Sequence, residues 1–205
     1  MKLLYTNNSP YARKVRIVAN EKGQSLTMQQ VVLADPDCPV KRYNPLGKVP
    51  VLILDDGVCL YDSRVIVEYL DQCKPANGLI PAATQAKIAV RRWEALADGV
   101  CDAAVAIMLE QRKATAAQDS AFVAKQMDKV RRGLSVLNED LADHEWCVND
   151  QFSLADIALG CMLAYVNLRF VEGLDLAQDY PNLQRLHLRL LARPSFAGSE
   201  PSPYS

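Results

Sequence analysis

Histidine is scarce in this chain, cysteines are never closely spaced, and no apolar run is long enough to cross a bilayer. Each shortage removes a class of function. The two histidines are His144 and His187. The six cysteines, Cys38, Cys59, Cys73, Cys101, Cys147 and Cys161, include no C-x-x-C pair. Without paired Cys and His spacings there is no zinc-ligand pattern, so no metal site is expected. Scattered cysteines read as free thiols in a reducing compartment, several of them buried as small hydrophobes. The opening M-K-L-L-Y-T-N-N-S-P turns polar too soon for a secretory signal. With no membrane span expected either, a cytoplasmic location is the default. Charge of one sign is also lacking. Lysine and arginine total 23 against 24 acidic residues, which gives no electrostatic case for a nucleic-acid or membrane partner. No glycine-rich phosphate loop is present, so no nucleotide cofactor is implied.

What is present falls into two unlike regions. Lys2 to Tyr5 reads as a strand. Ser9-Pro10 opens a helix with Tyr11, Val15, Val18 and Ala19 on one face, and Gly23 is placed to end it. Leu26 to Val32 is β-like, completing a β-α-β unit in which parallel pairing is expected. A short helix is expected near Val40 to Tyr43. Two apolar runs, Val51 to Leu54 and Val58 to Tyr61, flank Asp55-Asp56-Gly57, which predicts an antiparallel hairpin. Asp62-Ser63 then caps a helix expected to turn Val65, Ile66, Tyr69 and Leu70 inward. The order predicts a mixed four-stranded sheet with helices on its faces.

The rest reads as helix. Val90, Trp93, Ala97, Val100, Ala104 and Ile107 recur at spacings of three and four. So do Val123, Met127, Val130, Leu134, Leu137 and Leu141. Leu154, Ile157, Ala158, Cys161, Tyr165 and Leu168 form a third stripe, and a shorter helix is expected near Leu183 to Leu191. Ser153 and Asp156 match the S-x-x-D capping box, with Phe152 and Ile157 as its hydrophobic staple. The expected division is a sheet domain over residues 1–75, a Pro- and Gly-containing linker over 76–83, and an all-α helical bundle over 84–205.

Four motifs in order narrow this further. Ser9-Pro10-Tyr11-Ala12-Arg13-Lys14-Val15-Arg16 resembles the opening motif of serine-type bacterial glutathione transferases, theta- or beta-like in kind. Asn44-Pro45-Leu46-Gly47-Lys48-Val49-Pro50-Val51-Leu52 is similar to their N-P-x-G-K-V-P-x-L segment. Asp62-Ser63 sits at the acidic-Ser position opening the third helix, and Phe152 to Ile157 resembles the family's helix-capping signature. The resemblance implies an α/β thioredoxin-like N-terminal domain followed by the all-α C-terminal domain. It implies glutathione as substrate, a small hydrophobic or electrophilic acceptor, and a homodimer.

Carried over residue by residue, the resemblance implies that Ser9 stabilises the glutathione thiolate. Tyr5, Tyr11, Asn7 and Asn8 are rivals for that role. Val49-Pro50 is expected to be cis, turning the Val49 backbone towards the cysteinyl part of glutathione. Asp62 would take the γ-glutamyl ammonium, Ser63 its carboxylate, and Lys48 the glycine carboxylate. Asp98 would reach the partner subunit's ligand, and Tyr11, Met108 and Arg112 would border the acceptor pocket. Each has a plain structural alternative: helix caps at Ser9, Asp62 and Ser63, a solvated Lys48, an exposed helix face at Asp98 and Arg112, and packing at Met108.

No cysteine lies between positions 7 and 11, which argues against a mechanism through a protein–glutathione mixed disulfide. Two alternatives stay open. One is a binding or regulatory protein that keeps the fold without the chemistry. The other is a glutathione-dependent isomerase or dehalogenase.

Overall fold

The computed structural model describes residues 1–170 and 173–201. The chain divides into two compact units, Met1–Ile80 together with the described residues from Ala192 onward, and Pro81–Leu191. The expected helical domain over 84–205 is therefore too long. Its last described residues belong to the sheet unit.

In the first unit the strands are β1 (Lys2–Tyr5), β2 (Thr27–Gln30), β3 (Val51–Ile53) and β4 (Cys59–Leu60), in the spatial order β2-β1-β3-β4. β1 pairs parallel with β2 and antiparallel with β3, and β3 pairs antiparallel with β4. β2 and the hairpin strands are shorter than their apolar runs, and Val32 and Val58 lie exposed outside them. β1 is one of the two inner strands, and both Leu3 and Leu4 are fully buried. Side chains alternate across a strand, so a strand buried on both faces needs a layer on each side.

One layer is α1 (Pro10–Glu21) and α3 (Ser63–Cys73), which pack together. The other contains α2 (Val40–Tyr43), whose Val40 joins Leu4, Val31 and Val51 in one apolar cluster. Within α3, Ile66, Val67 and Leu70 are buried, but Val65 is exposed, against the expectation. Its neighbour Val67 takes the inward place.

A buried ion pair closes this unit. Lys22 Nζ donates to Asp71 at 2.9 Å and to the carbonyls of Ala76 and Asn77. Asp71 in turn accepts from the amides of Leu79 and Ile80. The stretch expected as linker is thus fastened to the sheet unit as far as Ile80. α9 (Pro194–Ala197) packs on α1. There Arg13, buried, donates to Ser199 Oγ and the Phe196 carbonyl and stacks over the Phe196 ring at 5.5 Å. Arg193 and Ser195 both bind the Glu21 carboxylate.

The second unit contains α4 (Thr84–Gln111), α5 (Ser120–Leu141), α6 (Leu154–Arg169), α7 (Leu176–Asp179) and α8 (Pro181–Leu191). α4 packs against both α5 and α6. All six apolar positions of the α4 stripe are buried. A Cβ added at Gly133 of α5 would collide with the stiff Val100 side chain of α4, so glycine is what lets these helices approach closely. α6 departs from the single stripe expected: every residue from Leu154 to Val166 is buried. A helix apolar all round belongs at the centre of its bundle. Its capping box is present, with the Ser153 amide donating to Asp156 at 2.8 Å and Asp156 also accepting from the Cys147 amide. The Phe152 ring meets Trp146 edge-on.

Candidate functional site

The sheet register decides which loops meet. Leu4 of β1 lies opposite Val51 of β3, and Leu52 of β3 lies opposite Leu60 of β4. Because both pairings are antiparallel, the end of β1, the start of β3 and the end of β4 share one end of the sheet. The segments leaving there are Ser9-Pro10, Val49-Pro50 and Asp62-Ser63. Three stretches far apart in sequence thus converge, and two of them are helix N-termini. Such ends carry unpaired amides and a partial positive charge, a setting that favours anions.

Ser9 is the N-cap of α1. Its extended backbone lets Oγ accept from the Ala12 amide at 3.2 Å. Accepting uses an oxygen lone pair and leaves the hydroxyl O–H able to donate a hydrogen bond. Tyr11, in the first turn, is half-buried. Tyr5 lies under the Arg16 guanidinium at 5.1 Å, and Asn7 donates to Gln30.

The Val49-Pro50 peptide bond is cis, as expected, and so is Tyr61-Asp62. The loop before Val49 is held by the buried Asn44. Its side chain donates to the Lys48 carbonyl at 2.9 Å and accepts from the Leu46 amide. Gly47 closes the turn with φ +63°, bonding back to the Asn44 carbonyl. Lys48 is exposed on this loop and Val49 half-buried.

Asp62 is the N-cap of α3 and Ser63, next to it, is buried. Asp62 Oδ1 accepts from the Arg64 amide at 3.0 Å, and Oδ2 from Arg64 Nη2 at 2.8 Å. The Arg64 guanidinium beside Asp62 holds its carboxyl below the ordinary carboxylate range, and the Lys14 ammonium adds to the effect. Sequence reading missed three residues here. Asn44 was seen only as part of a motif. Arg64, two positions after a capping Asp, could have been flagged as a charged neighbour on the first turn. Lys14 carries no local signal, since nothing in Y-A-R-K-V marks a lysine for burial.

The remaining expected residues lie in the second unit. On α4, Asp98 and Met108 are half-buried, and Arg112 is the exposed C-cap residue. Burial raises the Tyr165 phenol above its usual range, while Arg169 and Arg112 pull it the other way. Among the described residues no cluster of His, Cys, Asp or Glu is placed to hold a metal ion, and no helix is long and apolar enough to cross a membrane.

Comparison with known proteins agrees with this arrangement. Residues 3–78 match the family model described as glutathione S-transferase, N-terminal domain, and residues 96–194 match the glutathione S-transferase C-terminal domain. The chain is 37% identical over 201 residues to an uncharacterized GST-like protein, YibF, of Escherichia coli strain K12, covering 98% of each. A glutathione S-transferase from Methylobacillus flagellatus, solved with glutathione bound, superposes with a TM-score of 0.96 at 60% identity. That match covers 98% of this chain and 99% of the other. One from Methylobacterium radiotolerans, in complex with glutathione sulfonate, gives a TM-score of 0.93 at 42% identity, covering 98% and 94%. With both of its domains matched and the motifs of the first gathered at one sheet end, the chain belongs to the glutathione S-transferase family.

Proposed function

We propose that this chain is a glutathione transferase in which Ser9 stabilises the glutathione thiolate for attack on an electrophilic carbon, a peroxide or a disulfide. The observation that carries the proposal is the register-enforced meeting of Ser9, Val49-Pro50 and Asp62-Ser63 at one end of the sheet. The relatives solved with glutathione and with glutathione sulfonate support it as well.

The energetics are adequate. A thiol with a pKa near ~8.5 is mostly protonated at neutral pH. Lowering it by about two units requires roughly 2.7 kcal/mol of preference for the thiolate. A hydrogen bond to a charged group contributes about 1.5–3 kcal/mol, and the α1 N-terminus adds about 0.3–1 kcal/mol. Ser9 O–H donates to the sulfur, and the negative charge stays close to the α1 amides. The Val49 backbone pairs with the cysteinyl residue of glutathione in the manner of an added strand. Asp62 receives the γ-glutamyl ammonium, Ser63 and the first α3 amides its carboxylate, and Lys48 the glycine carboxylate. Glutathione is consumed as a substrate, so no separate cofactor enters. The acceptor is a small hydrophobic or electrophilic molecule. In a homodimer, Asp98 meets the ligand of the partner subunit. The cytoplasm, where glutathione is abundant and reduced, is the compartment this chemistry requires.

Calorimetric titration with glutathione, alongside ultraviolet detection of bound thiolate, tests the proposal. Wild type should bind, Asp62→Ala should weaken binding, and Ser9→Ala should bind but lose the thiolate signal near neutral pH. No binding at millimolar glutathione would sink the transferase reading.

A second reading is a glutathione-binding protein without turnover. It is favoured by the fact that Ser9 and Asp62 already have complete structural roles as helix caps. Under that reading Ser9→Ala leaves the ionisation of bound glutathione unchanged.

A further inference from the structure

Two arginines of the helical unit come together at the ends of neighbouring helices. Arg169 is the last residue of α6 and Arg112 the C-cap residue of α4, and α4 packs against α6. Tyr165, one helical turn before Arg169, is 2% exposed, and the Arg169 guanidinium lies over its ring at 5.2 Å. Burial raises the Tyr165 phenol, whereas both guanidiniums pull it down, so Arg112 shares this neighbourhood with Arg169. Arg169 is half-buried and Arg112 exposed, which makes the pair reachable from solvent.

A cation near a helix C-terminus commonly offsets the partial negative charge of the last carbonyls. That role accounts for the position of the two charges, but not for their hydrogen bonding. Arg169 Nε is buried with no acceptor in reach. Among the described residues, neither guanidinium is joined to a carboxylate, in contrast to Arg91, Arg92 and Arg193. Buried N–H donors nearly always have a partner, and an unmatched one is costly. An orphaned donor beside a second positive charge suits an anion.

The surroundings narrow the kind of anion. A guanidinium presents a planar fork that matches a carboxylate. Every residue from Leu154 to Val166 is buried, and Ile107 of α4 is buried as well. The ground next to the two arginines is therefore largely apolar. A small organic carboxylate can set its charge on the guanidiniums and its tail against that ground. A hydrated inorganic dianion would lose water there without such a gain.

We propose that Arg112 and Arg169 form a binding site in the helical unit for a small organic carboxylate, with the Tyr165 ring holding the Arg169 guanidinium in place. The site lies wholly within the second unit, so it does not rest on the glutathione reading. Arg169 supplies the half-buried donor and Arg112 the exposed one through which the ligand enters.

Calorimetric titration of the full chain, in the absence of glutathione, tests this with sodium propanoate as the probe. Propanamide serves as its uncharged counterpart and sodium phosphate as the inorganic anion, all at one ionic strength. Wild type should bind propanoate saturably with a Kd on the order of millimolar, at least about tenfold more tightly than either comparison compound. Arg169→Gln should weaken propanoate by about tenfold and Arg112→Leu by at least about threefold. Arg112 caps its helix through the backbone and is exposed, so its variant reports even where Arg169→Gln fails to fold. The proposal is overturned by a lack of saturable propanoate binding, by propanamide or phosphate binding as tightly, or by an unchanged propanoate affinity in Arg112→Leu.

Discussion

Each of the two units coheres internally by different means. In the first, decisive bonds join residues far apart in sequence: Lys22 with Asp71, Arg13 with Phe196 and Ser199, Glu21 with Arg193. In the second, α4, α5 and α6 pack through apolar stripes, and polar bonds such as those of Asn182 with Asn138 tie α8 to α5. A periodic stripe encodes its helix many times over, so single positions matter less. A sheet end assembled from three loops encodes each contact once. The candidate site lies where the sequence has no redundancy, and there the motifs are easiest to recognise.

Several substitutions would break or sharpen that contrast. Removing the carboxylate of the buried pair, Asp71→Ala, strands Lys22 and two amides. It should cost about 3–5 kcal/mol in denaturant unfolding. In the second unit, Asp156→Ala orphans the amides of Cys147 and Ser153 and should cost about 2–3 kcal/mol by the same measurement. An effect as large as that of Asp71→Ala would erase the proposed difference between the units.

Gly133→Ala forces a methyl against Val100. The overpacking penalty is about 1–3 kcal/mol, partly offset by about 1 kcal/mol of helix propensity. A small net loss is therefore expected, and a gain in Tm would show that α4 and α5 can part freely.

The last effect is a pH dependence. Burial raises the Glu21 carboxyl, but Arg193 and Ser195 outweigh it and hold the group below its usual range. A carboxyl depressed in the folded state stabilises above its unfolded pKa, and the contribution fades as pH falls through the folded value. Acid titration of stability should lose a component in wild type that is missing in Glu21→Gln. Superimposable curves would remove Glu21 from the account.

Much of the first unit was legible because its signals are chemical and local. A hairpin turn at Asp55-Asp56-Gly57, a capping Asp62 and the Pro50 step each mark one place. Helical periodicity located α4, α5 and α6 equally well. It failed at Val65: residues two apart point to nearly opposite sides of a helix, and the buried side is that of Val67. It also failed to show that α6 is buried on every side, since a stripe of large residues hides the alanines and glycine that complete its surface. At the site, Ser9, Asp62 and Ser63 were visible as caps. Arg64 and Asn44 were not, because their roles depend on side chains folding back on their own loops. The return of Arg193, Ser195 and Phe196 to α1 was invisible for another reason: pattern reading has no access to contacts between segments so far apart.

That return sets an order of assembly. Domains generally take shape as they leave the ribosome, but this sheet unit cannot be completed when Ile80 emerges. Until the whole helical unit has been made, Arg13 has no aromatic ring to stack on and Glu21 no arginine to bind. The helical unit is in effect an insertion into the sheet unit. A fragment cut at residue 80 would therefore hold the three site loops but lack the residues that lock the outer side of the helix carrying Ser9.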